Sequence, residues 1–410
     1  MFNYELCGLV LQAEKTIEAL EKFRVTTSEL NEKPIYKIFE GDVKLSKCLV
    51  PIDLNFDSVH LGHEQINRFA YRKTNVNVEV HTPLKSAINL NWLLKNGDTT
   101  EDILDALNQC VSKRPAKVKI SVMGLGDVGA TLALGLKLLG GDVISEIHLW
   151  DLNENQSKRQ AIELNQILVN PEIKVKAISN EALFDADVFV FCASKYVPKV
   201  GEKVDDVRMI QLTVNAPLVE QYMEMARAKA FKGLFCIVSD PVDLLCKAAF
   251  EANNRGGDRF KLFPEQIRGY GLGVMYARAK YYAEDDFEYG RVFGPHGKDL
   301  IVANHYETYD HESSMSLTQK VVNANLEVRA LGFKPYIAPA ISSGAYSIIQ
   351  TLRGDWNESA VFLGGQYWGC RNRVTTGGTE IEPLVLGDRL YQRMTETYER
   401  LKVLWDQYNC

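Results

Sequence analysis

The chain has 410 residues, too many for one ordinary domain and enough for two or three. Hydrophobic residues make up 46% and charged residues 24%, a globular composition, and a net charge of -6 offers no basic footprint for nucleic acid. No uncharged apolar run reaches the roughly 18 residues of a membrane span, and the first residues, MFNYELCGLVLQAEKT, lack the basic start of a signal peptide. These features lead us to expect a cytoplasmic protein with a small-molecule partner, and neither nucleic acid nor a membrane. The eight cysteines form no CxxC and are scattered, several of them in apolar strands, so reduced and mostly buried thiols are expected.

Residues 1 to 115 read as a mixed α+β segment. A helical stretch is expected near 10 to 23, strands near 35 to 39 (IYKIF) and 76 to 80 (VNVEV), and a helix from about 99 to 112. Asp98 and Glu101 stand at capping-box spacing ahead of Ile103, Leu104 and Leu107. Arg114 and Pro115 stop that helix. His60, His63 and Glu64 (HLGHE) match no metal-ligand spacing and have no third ligand in view, so they are expected to be surface histidines with no metal.

The stretch from 118 to 151 organises the rest. Val118, Ile120 and Val122 alternate into Gly124-Leu125-Gly126-Asp127-Val128-Gly129, and the residues that follow carry apolar side chains at helical spacing. In such a strand, glycine turn and helix, Gly124 permits the tight turn, Gly126 admits a pyrophosphate to the backbone, and Gly129 lets helix pack on strand. A second strand, Ile147 to Trp150, ends in Asp151, where a carboxylate fits two ribose hydroxyls and repels a 2′-phosphate. NAD binding is therefore expected, in preference to NADP.

Next come a helix at 153 to 169, strand three at 173 to 179, and strand four at 188 to 192, apolar throughout. A loop from Ala193 to Val204 holds Lys195, Lys199, Gly201 and Lys203. A long helix from Asp205 to about Lys229 contains Pro217, where a kink or break is expected. Strand five, 233 to 240, stops at Asp240-Pro241 before another helix. This rhythm predicts a doubly wound parallel sheet with ligands at the carboxyl ends of its strands. The second half starts near Ile267 with RGYGLGVMYARAKYYAE. It continues through FGPHGKD, a helix at about 314 to 331, a hairpin-like stretch at 359 to 386 and a helix from Asp388 to Gln407. That last helix should dock through Leu390, Met394, Tyr398, Leu401 and Trp405.

Over about residues 117 to 408 the order of GLGDVG, Asp151, Gly201-Glu202, VSDPVD, GVMYARAKYY and GPHG resembles the L-lactate/malate dehydrogenase family. The resemblance implies an α/β architecture in three parts: an N-terminal extension (1-115), a Rossmann NAD-binding domain (116-265) and an α+β substrate domain (266-410). It also implies hydride transfer between NAD and C2 of a 2-hydroxy or 2-oxo acid, in a homo-oligomer, dimer or tetramer. The cofactor would rest on Gly124, Gly126, Asp127, Val128, Gly129, Asp151 and Ala193. His296 falls on the family's catalytic histidine and Arg278 on its substrate-carboxylate arginine. An imidazole can give or take a proton near neutrality, and a guanidinium clamps a carboxylate bidentately.

Three positions depart from the family. Met275 stands where the family's aspartate orients the histidine, Val204 where the mobile loop carries a second arginine, and Asp240 where the family has asparagine. Lys203 and Arg208 are the nearest cations to Val204. Asp240 could supply the carboxylate missing at Met275, or favour an amine or iminium substrate. Ile337, Ala338 and Pro339 suggest an apolar wall to the substrate pocket. An unusual 2-hydroxy or 2-amino acid dehydrogenase is therefore the leading expectation. The alternatives are a catalytically weakened NAD-binding sensor or regulator on the same fold and an unrelated NAD-dependent enzyme such as a redox-assisted glycosidase.

Overall fold

The computed structural model describes residues 1–6, 8–26, 33–51, 64–70, 84–95, 99–111, 115–195, 207–256, 261–283 and 287–409. The N-terminal part is built on a six-stranded sheet of β1 (Phe2–Leu6), β2 (Leu9–Ala13), β3 (Arg24–Val25), β4 (Ile35–Phe39), β5 (Leu49–Pro51) and β6 (Leu84–Asn89). Its spatial order is β3-β1-β2-β4-β6-β5. Helices α1 (Leu90–Lys95) and α2 (Thr100–Val111) follow.

The helix expected near 10 to 23 is instead strand β2 followed by a 3-10 turn, Glu18–Phe23. Gly8, at φ +77, lies in the two-residue turn that folds β2 back on β1, a conformation glycine takes without strain. The strand at 35 to 39 and the helix after 99 are present. The reciprocal cap of that helix is Thr99 with Asp102 rather than a pair involving Glu101: Thr99 Oγ1 donates to Asp102 Oδ2 (2.6 Å) and accepts from Asp102 N (3.2 Å). Asp98, Arg114, His60, His63 and the strand expected at 76 to 80 lie outside the described residues. Glu64 is buried, its carboxylate held by Ser46 Oγ and by Lys47 N at 3.0 Å.

The second sheet has nine strands. Six are parallel: β7 (Val118–Met123), β8 (Ile144–Trp150), β9 (Lys174–Ala177), β10 (Val188–Phe191), β11 (Leu234–Ile237) and β12 (Ile267–Gly269). Between them run α3 (Asp127–Leu139), α4 (Glu154–Asn165), α5 (Val207–Ala228) and α6 (Val242–Arg255). Every residue of β10 and β11 is buried, as in a parallel sheet covered on both faces. The expected break at Pro217 is absent, and α5 runs through it as one helix.

After β12 come α7 (Leu272–Tyr282), the hairpin β13 (Arg291–Phe293) and β14 (Ile301–Ala303), α8 (His311–Ala330), a π-helical segment (Pro339–Tyr346) and α9 (Ser347–Arg353). Strands β15 (Asn357–Leu363), β16 (Gln366–Thr375) and β17 (Gly378–Ile381) then extend the large sheet antiparallel from β12. Its order is β17-β16-β15-β12-β11-β10-β7-β8-β9, so one sheet crosses position 265/266. Terminal helix α10 (Asp388–Asn409) buries Leu390, Met394, Tyr398, Leu401 and Trp405, the expected stripe.

The N-terminal part packs on the amino-terminal side of the parallel strands. Glu265, just before β12, accepts from Cys48 N (3.3 Å) and Leu49 N (2.9 Å). Trp92 meets Phe263 edge to face, and one continuous apolar core joins both parts. A cavity of about 700 Å³ remains at this junction, lined at one end by Val118, Val188 and Leu234. The six cysteines described are free, four of them buried, and Cys48 Sγ lies 3.3 Å from Cys110 Sγ. No described helix is long and apolar enough to cross a membrane, and no cluster of potential metal ligands occurs among the described residues.

Candidate active site

Strand order reverses between β7 and β10, and the loops leaving the carboxyl ends of β7, β8, β10 and β11 converge there. Gly124 takes φ +88 and lies so close to Ala193 that a Cβ would come within 2.8 Å of its backbone. At Gly129 a Cβ would fall 1.9 Å from Gly124 O. A Cβ at Gly126 would meet nothing within 4 Å, so this glycine's bare backbone faces open space at the amino end of α3. The first N–H groups of a helix have no intrahelical partner, and its dipole favours an anion there. Two glycines are thus required by packing and the third by access, which is the arrangement a dinucleotide pyrophosphate fits.

Asp151 follows β8. Its Oδ2 accepts from Leu125 N (2.7 Å) and its Oδ1 from Asn153 N (2.9 Å), which fixes the carboxylate beside the glycine turn. Each oxygen keeps lone-pair capacity for a ribose hydroxyl. Asp127, on the first turn of α3, pairs with Lys334 Nζ at 2.9 Å, so its charge is matched close to the anion site. Val128 packs partly buried against the core beneath.

The second focus is His296, in the loop after β13. Its Nδ1 lies 2.8 Å from Asp240 Oδ1, and its backbone N donates to Asp243 Oδ2 at 2.9 Å. The ring lies against Gly271, where a Cβ would come within 2.9 Å of it, so the glycine before α7 makes room for the imidazole. With Nδ1 engaged, Nε2 is the nitrogen left for a substrate proton. The Asp240 side chain is 44% exposed, so the pair borders an open cleft. Burial pushes the Asp240 carboxyl up, but His296, Arg208 and Arg278 outweigh it and hold it below the usual carboxylate value. Asp243 is buried, and burial pushes its carboxyl up to about 6, against Arg208 and the His296 backbone hydrogen bond.

Arg278 is half-buried on α7. It donates through Nη2 to Asn325 Oδ1 of α8 and through Nη1 to Met275 Sδ at 3.8 Å. Met275 is itself buried and places no carboxylate at this point. Arg208 opens α5, paired with Asp299 Oδ2 at 3.2 Å. Two helical turns further on, Asn215 donates to Asp240 O (3.0 Å) and Ser194 Oγ (3.2 Å) and accepts from Lys195 N (2.9 Å). One buried amide thereby ties the β10 and β11 loops together. Asn215, Asp243, Asp299 and Asn325 were not singled out in the sequence. The only local signal was Asn215, a polar residue at a buried position of an otherwise apolar helix face.

His296, Asp240, Arg278 and Arg208 are therefore brought together, while Val204, Lys203, Lys199 and Gly201 lie outside the described residues. The apolar wall expected at Ile337, Ala338 and Pro339 is not a closed one, because Ile337 is 63% exposed and Ala338 is exposed too. Ile337 and Ala338 directly precede the π-helical segment, which begins at Pro339, and the local sequence carries no sign of their exposure.

Residues 118–260 match the model of the lactate/malate dehydrogenase NAD-binding domain. An L-lactate dehydrogenase of Borrelia turicatae (strain 91E135) is 23% identical over 275 residues, 61% of this chain and 82% of the relative. A malate dehydrogenase of Aliarcobacter butzleri (strain RM4018) is 23% identical over 270 residues, 60% of this chain and 81% of the relative. Among solved structures, a lactate dehydrogenase from a Medee basin deep-sea metagenome library superposes with a TM-score of 0.60 at 19% identity, over 72% of this chain and 100% of that one. The malate dehydrogenase of Archaeoglobus fulgidus in complex with NADH gives 0.59 at 17% identity, over 71% and 100%. At such identities the structural likeness speaks for the fold, and the sequence match speaks for descent. Residues 118–260 are thus similar to the NAD-binding domain of lactate/malate dehydrogenases, and NAD is the cofactor that the glycine turn fits.

Proposed function

We propose that the chain is an NAD-dependent dehydrogenase acting at C2 of a 2-hydroxy/2-oxo acid, with a substrate other than lactate. The observation that carries the reading is the 2.8 Å contact between His296 Nδ1 and Asp240 Oδ1. A family member that had merely lost its histidine's carboxylate partner would be a weak acid-base catalyst. Here a carboxylate from a different element, the loop after β11, supports the imidazole instead.

When bound, NAD supplies the acceptor for a hydride, and NADH its donor. In oxidation His296 Nε2 takes the C2 hydroxyl proton, and Asp240 stabilises the resulting imidazolium and fixes the ring through Nδ1. In reduction the same nitrogen returns the proton to the C2 oxygen. Arg278, with its planar fork, holds the substrate carboxylate, and Asn325 holds one side of that fork in place. The exposed edge of Asp240 leaves a carboxylate within reach of the reacting carbon, which supports a substrate with a polar or cationic group there in preference to lactate. The test is NADH oxidation by full-length protein against a panel of 2-oxo acids, with and without ammonium. Turnover of at least one member is expected, with pyruvate not the best. No turnover, with NADH still bound, would leave the sensor reading in its place.

A further inference from the structure

At the junction of the two sheets, Cys48 and Cys110 stand sulfur to sulfur, 3.3 Å apart across 62 positions of sequence. A disulfide, at about 2.0 Å, is little more than an ångström of movement away. The two thiols are unlike. Cys48, directly before β5, is fully buried, and burial, reinforced by its hydrogen bond with Cys110, lifts its thiol well above the usual range. Cys110, in the last turn of α2, is half-buried and lines the cavity of about 700 Å³ between the two parts. A small oxidant in that cavity therefore meets Cys110 first, with the Cys48 sulfur in contact behind it. Burial also lifts the thiols of Cys192, Cys246 and Cys370 and keeps them protonated, and none of these three borders the cavity.

We propose that Cys48 and Cys110 form a reversible dithiol site oxidised by hydrogen peroxide, with Cys110 the sulfur that takes the oxygen and Cys48 the one that closes the bridge. The Cys110 sulfur attacks one peroxide oxygen and the O–O bond breaks. The thiol proton joins the departing hydroxide as water, which leaves a sulfenic acid on Cys110. The Cys48 sulfur then attacks the sulfenic sulfur, its proton leaves with the hydroxyl as a second water, and the S–S bond forms. Across both steps the two thiols lose two electrons and two protons, and one peroxide becomes two waters. A small dithiol reverses the bridge by exchange. The site needs neither NAD nor substrate. Its place in the fold gives the bridge a consequence, because Cys48 N holds Glu265 at 3.3 Å and Gln109, beside Cys110, donates to Gln266 Oε1 at 2.9 Å. Oxidation thus fastens together the two segments that grip the chain entering β12, and it removes freedom from the unfolded chain.

In the experiment, reduced full-length protein is treated with a modest excess of hydrogen peroxide near neutral pH. It is then blocked with N-ethylmaleimide in urea and digested without reduction for peptide mass mapping. A peptide pair joined through Cys48 and Cys110 is expected, and dithiothreitol should abolish it. The bridged protein should melt about 3 °C or more above the reduced one. Cys48→Ala should stop at the sulfenic acid, trapped on Cys110 by dimedone, and Cys110→Ala should leave Cys48 a thiol. The second variant alters only the half-buried partner, and with the wild type it decides the matter if Cys48→Ala does not fold. A wild-type protein that keeps both thiols, that holds sulfenic acid on Cys110 without the bridge, or that joins either cysteine to another partner would overturn the site. Oxidation of Cys48 in Cys110→Ala would overturn the order of attack, and equal melting of bridged and reduced protein would overturn the fastening.

Discussion

Replacing Asp243 by asparagine should stabilise the protein, and by an amount that depends on pH. The carboxyl is buried beside the His296 backbone, and burial lifts it from 3.8 in the unfolded chain to about 6. That gap corresponds to about 3 kcal/mol, at about 1.4 kcal/mol per pH unit. An acid with a raised folded value favours folding below its unfolded pKa, and this support is lost as pH rises through about 6. At pH 8 the wild type therefore buries an ionised carboxylate at that cost, whereas the amide is neutral and can still accept from His296 N. Asp243→Asn should be more stable by about 3 kcal/mol at pH 8, by about half that at pH 5, and by close to nothing below pH 4. Urea unfolding followed by tryptophan fluorescence at the three pH values measures the differences. A variant less stable than wild type at pH 8, or a gain that does not shrink on acidification, would refute the reasoning.

Other expectations follow from the same geometry. NADH should bind at least about tenfold tighter than NADPH, because the fixed Asp151 carboxylate would repel a 2′-phosphate; fluorescence titration giving equal affinities would exclude this role. Gly126→Val should fold normally, since its side chain meets no protein atom, yet lose NADH binding; Gly129→Ala should damage the fold itself, and melting curves separate the two. Arg278→Lys keeps the charge but loses the fork, and should cost about 3 kcal/mol in kcat/KM, while a substrate without a carboxylate would remove the basis for this expectation. Asp240→Asn restores the family's residue but breaks the histidine pair, so activity should fall about 10-fold or more. Met275→Asp in that background should recover part of it, and a neutral or improved Asp240→Asn enzyme would show that the pair has no role in proton transfer.

The legible part of the molecule was the part built from short-range rules. The glycine turn, the acid after β8 and the apolar strands β10 and β11 each follow from a few neighbouring residues, and they alone specify the parallel sheet. Asp240 can be suspected of replacing the missing carboxylate because it stands where the resembled family has an asparagine, and it lies against His296 across 56 positions of sequence. Arg208 could be named only as a nearby cation. Its burial depends on Asp299, 91 residues away, and its relevance on Asn215 gripping the Asp240 loop. The β2 segment reads as helix because five apolar-rich residues carry too little periodicity, and pairing with β1 makes it a strand. The continuity of the sheet from β12 into β15 is invisible for the same reason: antiparallel partners 91 residues apart, Gly269 and Ala360, leave no local pattern.

The junction at Glu265 limits how this gene could have been trimmed or shuffled. A message starting at Pro115 would encode every residue proposed to bind the cofactor or substrate, yet its product would lack the Cys48 and Leu49 amides that hold the Glu265 carboxylate. It would also leave Phe263 without Trp92 and open a wide apolar face to water. An apolar core opened to water is a heavy penalty for a protein with a narrow stability margin. Residues 1–115 should therefore resist removal, because the rest of the chain would lose the contacts that cover its core at this junction.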